Sequence, residues 1–287
     1  MRKAILILLA LVALVISAVA LIFLFNPVTN AGLGRFVMAQ YGGEPRTENG
    51  TLKTAELLRL VKLSGGNTYN LLMRMPDEDL ESLEEFLPMA EKDGIDVWVT
   101  ILPPSELGPN QRSDMEYVDY IGLARKLAAL SLKHRNLKAW GIDNVLIDFN
   151  FFTPVYLEEI TGTAKDVNPG LKFIPVVYYP NVVSPIFDER GRFFDGVQLY
   201  YTNFPKGLPD ESKVLLPQLE TLKAKFQKPV VLGIYASPWS PDYPTSPEYV
   251  EQLINLAKQH TDGVMIYTMQ TEGEKSGVIK RLFGDAK

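Results

Sequence analysis

The run 143–150 reads Asp-Asn-Val-Leu-Ile-Asp-Phe-Asn and carries two carboxylates in an otherwise apolar stretch. With a strand read over residues 144–149, Asp148 closes it, and a charge at the end of a buried strand adds nothing to packing. A functional part is therefore expected of it, as a general acid or base whose proton affinity is set by burial or by a neighbouring charge. Chemistry at a glycosidic bond needs a second carboxylate at one of two characteristic separations. The later acid nearest a strand end is Glu272, so Asp148 and Glu272 are the expected catalytic pair, with Glu44 and Asp242 as poorer second members. Asp143, five residues earlier, is expected at the opposite end of the same strand, where a barrel keeps residues for stability, and outside the site.

The other residues that close strands or open the loops after them are polar and aromatic. Gln40, Asn150, Tyr178, Gln198, Tyr200, Tyr235, Trp239 and Tyr267 are the expected substrate-binding set, with Tyr41 and Arg74 also at strand ends. Sugar rings offer apolar C–H faces and many hydroxyls, so aromatic platforms beside amides and carboxylates suit a carbohydrate partner. Any one of the tyrosines would serve equally well as a cap on a barrel core. Trp239, in a Ser-Pro-Trp-Ser-Pro loop, is the aromatic residue for which exposure is easiest to justify.

Composition removes several alternatives. There is no cysteine, which excludes disulfides, thiolate metal sites and cysteine nucleophiles together. The two histidines, His134 and His260, fall on separate amphipathic stretches without ligand spacing, so no metal site is expected, and the proposed chemistry calls for no cofactor. A net charge of −5 without a basic cluster leaves a nucleic acid backbone no electrostatic footprint.

These residues need a scaffold that brings strand ends to one place. Short β-rich runs at 36–40, 68–73, 96–101, 144–149, 172–178, 196–200, 230–235 and 263–268 alternate with helical patterns. Helices are expected at 52–63, 78–92, 115–134, 154–167, 211–226, 247–260 and 275–283, with Thr153-Pro154 and Ser246-Pro247 supplying a cap and a proline at the first helical position. Eight such units predict an α/β fold of the (β/α)8 TIM-barrel kind over residues 35–287, with its site at the C-terminal ends of the strands. A doubly wound open sheet would carry a glycine-rich phosphate loop after its first strand, and Gln40-Tyr41-Gly42-Gly43 is not one.

The barrel is preceded by an apolar segment and a linker. Residues 4–25 are apolar except for Ser17, and as a helix they would span about 33 Å, enough for the hydrocarbon core of a bilayer. Arg2 and Lys3 precede this stretch and only Arg35 follows in the next twenty residues, which predicts a cytoplasmic N-terminus and an extracytoplasmic barrel. Residues 1–25 are expected to act as a signal anchor in the membrane, or as a signal peptide if cleaved, with residues 26–34 as linker.

The 143–150 run also resembles the fourth-strand signature of family-18 chitinase barrels, Asp-Gly-x-Asp-x-Asp-Trp-Glu, with Asp143, Asp148 and Phe149 on matching positions. The runs 194–203 and 263–267 resemble that family's sixth and eighth strands. The middle aspartate of the signature is Leu146 here, and the glutamate that protonates the glycosidic oxygen is Asn150. Residues 145–149, 153–156, 168–173 and 176–179 are similar to uncharacterised bacterial glycoside-hydrolase-like barrels with an Ile-Asp-Asp-Phe-Asn strand, with Asp148 on that motif's second aspartate and Ile147 in place of the first. The resemblance implies a glycosidase-like enzyme acting on a polysaccharide or cell-envelope glycan. The amide at Asn150 implies the alternative, a glycan-binding barrel that has lost hydrolysis, since an amide keeps hydrogen bonding but transfers no proton at neutral pH.

Overall fold

The computed structural model describes residues 32–106, 118–202, 211–237 and 245–284. Strands β1 (Val37–Tyr41), β2 (Thr68–Met73) and β3 (Asp96–Ile101) alternate with helices α1 (Thr54–Ser64) and α2 (Pro76–Lys92). Helix α3 (Tyr120–Lys133), β4 (Leu137–Ile142), α4 (Pro154–Val167), β5 (Lys172–Phe173) and β6 (Val176–Tyr178) follow. After two short helices, α5 (Tyr179–Val182) and α6 (Pro185–Arg190), the chain completes β7 (Val197–Tyr200), α7 (Ser212–Phe226), β8 (Val230–Tyr235), α8 (Pro247–His260), β9 (Gly263–Tyr267) and α9 (Gly273–Gly284). All pairings within the sheet are parallel, in the order β5-β4-β3-β2-β1-β9-β8-β7-β6.

β5 and β6 are two halves of one stave. Pro175, which has no N–H to donate, lies between them. Across the break Ile174 N donates to Trp140 O at 2.7 Å and Gln198 N donates to Pro175 O at 2.9 Å, so the sheet closes on itself and the nine strands make the eight staves of a barrel. The single run expected over 172–178 is therefore one stave in two pieces.

Period-two alternation divides the core into two layers. Val37, Ala39, Tyr41, Leu72, Trp98, Ala139, Ile174, Val176, Tyr200, Val231, Tyr235 and Met265 pack together inside the barrel. Their neighbours along the strands, such as Met38, Leu71, Val99, Trp140, Val177, Leu199, Leu232 and Ile266, pack against the helices. The expected caps are present: Thr153 Oγ1 accepts from Tyr156 N and Ser246 Oγ from Tyr249 N, each at 3.2 Å.

The fourth stave corrects the sequence reading. It is Leu137–Ile142, in register with β3 from Val97↔Leu137 to Ile101↔Ile142, and not residues 144–149. Asn144 leaves the strand direction at a left-handed φ of 43°, a conformation asparagine tolerates better than most residues, and the chain continues as a series of turns. A Cβ at Gly141 would run into the Ile174 carbonyl of the next stave, so the apolar run must stay narrow there. Among the described residues no helix is long and apolar enough to cross a membrane; the apolar segment 4–25 lies outside them.

Candidate functional site

Moving the fourth strand by seven residues moves the chemistry with it. Asp143 now follows the last residue of β4, at the mouth, and shares the inward parity of Ala139. Tyr41, at the end of β1, donates its hydroxyl to Asp143 Oδ2 at 2.8 Å. The expectation that Asp143 sits at the opposite end of the barrel is overturned, because that placement followed from the wrong strand bounds.

Asp143 lines a pocket of about 350 Å³ together with Tyr41, Leu72, Arg74, Leu102, Glu106, Tyr178, Tyr200, Tyr235 and Tyr267. The residues divide by stave: Arg74 follows β2, Glu106 ends a 3-10 turn (Pro104–Glu106) after β3, Asp143 follows β4, and the tyrosines come from β6 to β9 and β1. The five rings form a continuous aromatic wall. Centroid separations are 5.3 Å for Tyr41 and Tyr267, 5.7 Å for Tyr267 and Tyr235, 5.4 Å for Tyr235 and Tyr200, and 6.3 Å for Tyr200 and Tyr178. The Tyr178 and Tyr235 hydroxyls lie 3.0 Å apart in a hydrogen bond. Gly233 makes room for this wall, since a Cβ there would overlap the Tyr200 ring.

The two acids titrate abnormally. Burial, then the charge of Glu106, pushes the Asp143 carboxyl up to about 7 against the opposing pull of the Tyr41 hydroxyl and the Asn144 backbone. Glu106 is raised above the ordinary glutamate range, first by burial and also by the charge of Asp148, while a hydrogen bond from Asn144 Nδ2 at 3.4 Å lowers it. Asn144 thus joins the two acids, presenting its backbone to one and its side chain to the other. Because the charge of Glu106 raises the proton affinity of Asp143, ionisation of one favours protonation of the other, the condition under which one acts as acid and the other as base. Asp143 Oδ1 and Tyr200 OH are buried without a hydrogen-bond partner among the described residues, although both belong to pocket-lining side chains.

The residues expected from sequence separate into groups. Tyr178, Tyr200, Tyr235 and Tyr267 are brought together in the mouth. Gln198 faces into the barrel below it, fully buried, accepting from Asn70 Nδ2 at 3.2 Å and donating to Ile174 O at 2.8 Å. Gln40 has the opposite parity to Tyr41 and turns toward the helix layer, where Gln270 N donates to its Oε1 at 3.4 Å. Asn150 is exposed in the β4–α4 loop, and Glu272 is exposed after β9; neither lines the pocket. Trp239 lies outside the described residues.

Asp148 sits in the β4–α4 loop rather than at a strand end. Its Oδ2 accepts from Ser105 N at 2.9 Å, which ties this loop to the turn that presents Glu106, and its backbone carbonyl accepts from Phe151 N and Phe152 N. Arg190 pins the far side of the loop by donating to Phe152 O at 3.0 Å and Phe149 O at 3.1 Å. Sequence reasoning missed Glu106 because it lies beyond a strand end in a Pro-Pro-Ser-Glu turn, and the raised affinity of Asp143 because that depends on contacts far along the chain.

No protein-family model matches this sequence, and no curated protein matches it. Solved structures do match in fold. The endo-1,4-beta-mannanase from Eisenia fetida superposes with a TM-score of 0.60 at 12% identity, over 87% of this chain and 91% of that one. A GH113 beta-1,4-mannanase gives 0.60 at 12% identity over 87% and 99% of the two chains, and the beta-D-glucuronidase of Dictyoglomus thermophilum gives 0.59 at 14% identity over 87% and 50%. The chain is thus similar in fold to glycoside-hydrolase (β/α)8 barrels, at an identity that carries the architecture alone.

Proposed function

We propose that this chain is a glycosidase-like enzyme that hydrolyses a polysaccharide or cell-envelope glycan at the barrel mouth, with Asp143 as general acid and Glu106 as its partner carboxylate. The observation that carries the reading is the placement of Asp143 and Glu106 together in one tyrosine-walled pocket, where burial and the neighbouring acid push the Asp143 carboxyl up. In this reading Asp143 gives its proton to the glycosidic oxygen as the bond to the anomeric carbon breaks, and the ionised Glu106 either activates water or attacks that carbon. The tyrosines bind the ring in substrate and transition state alike, whereas the acids act mainly in the transition state. Asp148 supports Glu106 through the Ser105 amide, a role different from the principal carboxylate its sequence position suggested. A family-18 type of site would need residues 143–150 as a strand, whereas β4 ends at Ile142.

Residues 4–25 suit a membrane anchor that holds the barrel outside the cytoplasm, where such glycans are found. The test of activity is release of new reducing ends from a panel of envelope and plant polysaccharides. Asp143→Asn and Glu106→Gln are each expected to lower turnover about 100-fold or more while leaving affinity nearly unchanged. Wild type that binds a glycan but releases no ends would establish the glycan-binding barrel instead, and absence of all binding would remove carbohydrate from consideration.

A further inference from the structure

Among the described residues the mouth contains one cation beside its acids and tyrosines, and none of them supplies it with a counter-charge. Arg74 follows directly on β2 and lines the same pocket as Asp143 and Glu106. Its backbone is fixed, because its N–H donates to Asp79 Oδ2 at 2.7 Å. Its guanidinium makes no ion pair among the described residues, in contrast to Arg35 with Asp96, Arg46 with Asp79, Arg190 with Glu189 and Arg281 with Glu251.

The two acids that hold this strand end are already committed. Glu44 Oε1 accepts from Leu72 N at 2.9 Å. Asp79 accepts from Arg74 N and Met75 N and is bridged by Arg46 Nη1 at 2.6 Å and Nη2 at 3.3 Å. Glu44 therefore serves a backbone amide and Asp79 serves backbone amides and Arg46, and Arg74 lines the pocket from a fixed backbone. Its stave is two removed from that of Asp143, a separation of roughly 10 Å by strand spacing, which one pyranose ring with its substituents can bridge.

We propose that Arg74 recognises a carboxylate on the glycan, so that the substrate class is an acidic, uronate-type polysaccharide rather than a neutral one. The inference rests on the glycosidase-like reading of the mouth. A planar guanidinium matches a carboxylate with two parallel N–H donors, and Arg74 lines the same pocket as the tyrosines that take the apolar ring face. Of the two acids, Asp143 opposes such a ligand less than an ordinary aspartate would, because burial and Glu106 raise its proton affinity.

The test uses the full-length chain at about 0.15 M salt, so that weak surface attraction is screened. Polygalacturonate, polymannuronate and hyaluronan are each compared with their carboxyl-reduced forms, in binding and in release of reducing ends. Wild type is expected to prefer at least one acidic polymer over its reduced form by about tenfold or more, the value of one charge-assisted contact. Arg74→Gln should cost the acidic form about tenfold more than it costs the reduced form, so that the preference is lost, and Arg74→Lys should restore part of it. Equal handling of both forms by wild type, or an equal loss on both in Arg74→Gln, overturns the acidic-substrate inference and leaves the glycan reading standing. Failure to bind or cleave any polymer, acidic or reduced, overturns both.

Discussion

Replacing Asp143 by asparagine should stabilise the protein, and increasingly so as pH rises. The carboxyl has an ordinary value of 3.8 in the unfolded chain and about 7 in the folded one, so between these limits the native state holds a proton that the unfolded state has lost. Stability falls as pH rises wherever the native state binds more protons, which makes this aspartate destabilising from about pH 4 upward, to a limit reached above pH 7. A rise from 3.8 to about 7 corresponds to about 4 kcal/mol at pH 8, and at pH 5 the same linkage leaves about 2 kcal/mol. Asparagine is nearly isosteric, still accepts from the Tyr41 hydroxyl and does not ionise. The stabilisation by Asp143→Asn should therefore grow by about 2–3 kcal/mol between pH 5 and pH 8. Urea unfolding at the two pH values reads it, with fluorescence of the buried Trp98 and Trp140 as the signal. A variant equally stable relative to wild type at both values, or less stable at pH 8, would refute the argument that burial and Glu106 hold a proton on this carboxyl.

If Asp143 is the general acid, kcat/KM on a cleaved glycan should decline as pH rises through about 7, and Glu106→Gln should move the remaining ionisation of Asp143 downward by removing a like charge. A pH-rate profile checks the first part and carboxyl-labelled NMR the second; an alkaline limb insensitive to Asp143→Asn would remove that assignment. For the anchor, protease added to intact cells should digest the barrel, with residues 4–25 left in the membrane fraction. Digestion only after the cells are opened would reverse the orientation.

The architecture was legible because it depends on short-range pattern. Alternating apolar runs and amphipathic stretches give staves and outer helices, and seven of the eight staves lie within a residue or so of their sequence bounds. β4 was not legible from hydropathy alone, since 137–142 and 144–149 are both largely apolar. What separates them is connection length. With α3 ending at Lys133, a strand from Leu137 leaves a three-residue link, whereas one from residue 144 needs ten, beyond the usual helix-to-strand length in this kind of fold. Gly141 was a second signal, because an inward glycine marks close approach of a neighbouring stave and fits a strand interior better than a preceding loop.

That one register decides which carboxylate lines the mouth. In a barrel every strand-end position is either inward at the mouth or outward under a helix, so a shift of one element trades Asp148 for Asp143 and leaves the tyrosines untouched. The tyrosines were readable because each ends its own strand. The acids were not, because the raised proton affinity at Asp143 is made by burial and by Glu106, which comes from another stave, against the opposing pull of Tyr41 and the Asn144 backbone. The contacts that oppose the rise explain why an aspartate is tolerated where packing alone would favour a hydrophobe: the Tyr41 hydroxyl and the Asn144 backbone recover part of the desolvation cost, and protonation near neutral pH recovers more. A carboxyl kept in that state lowers the stability of the fold at neutral pH, and a position that contributes only to packing would have no reason to retain it.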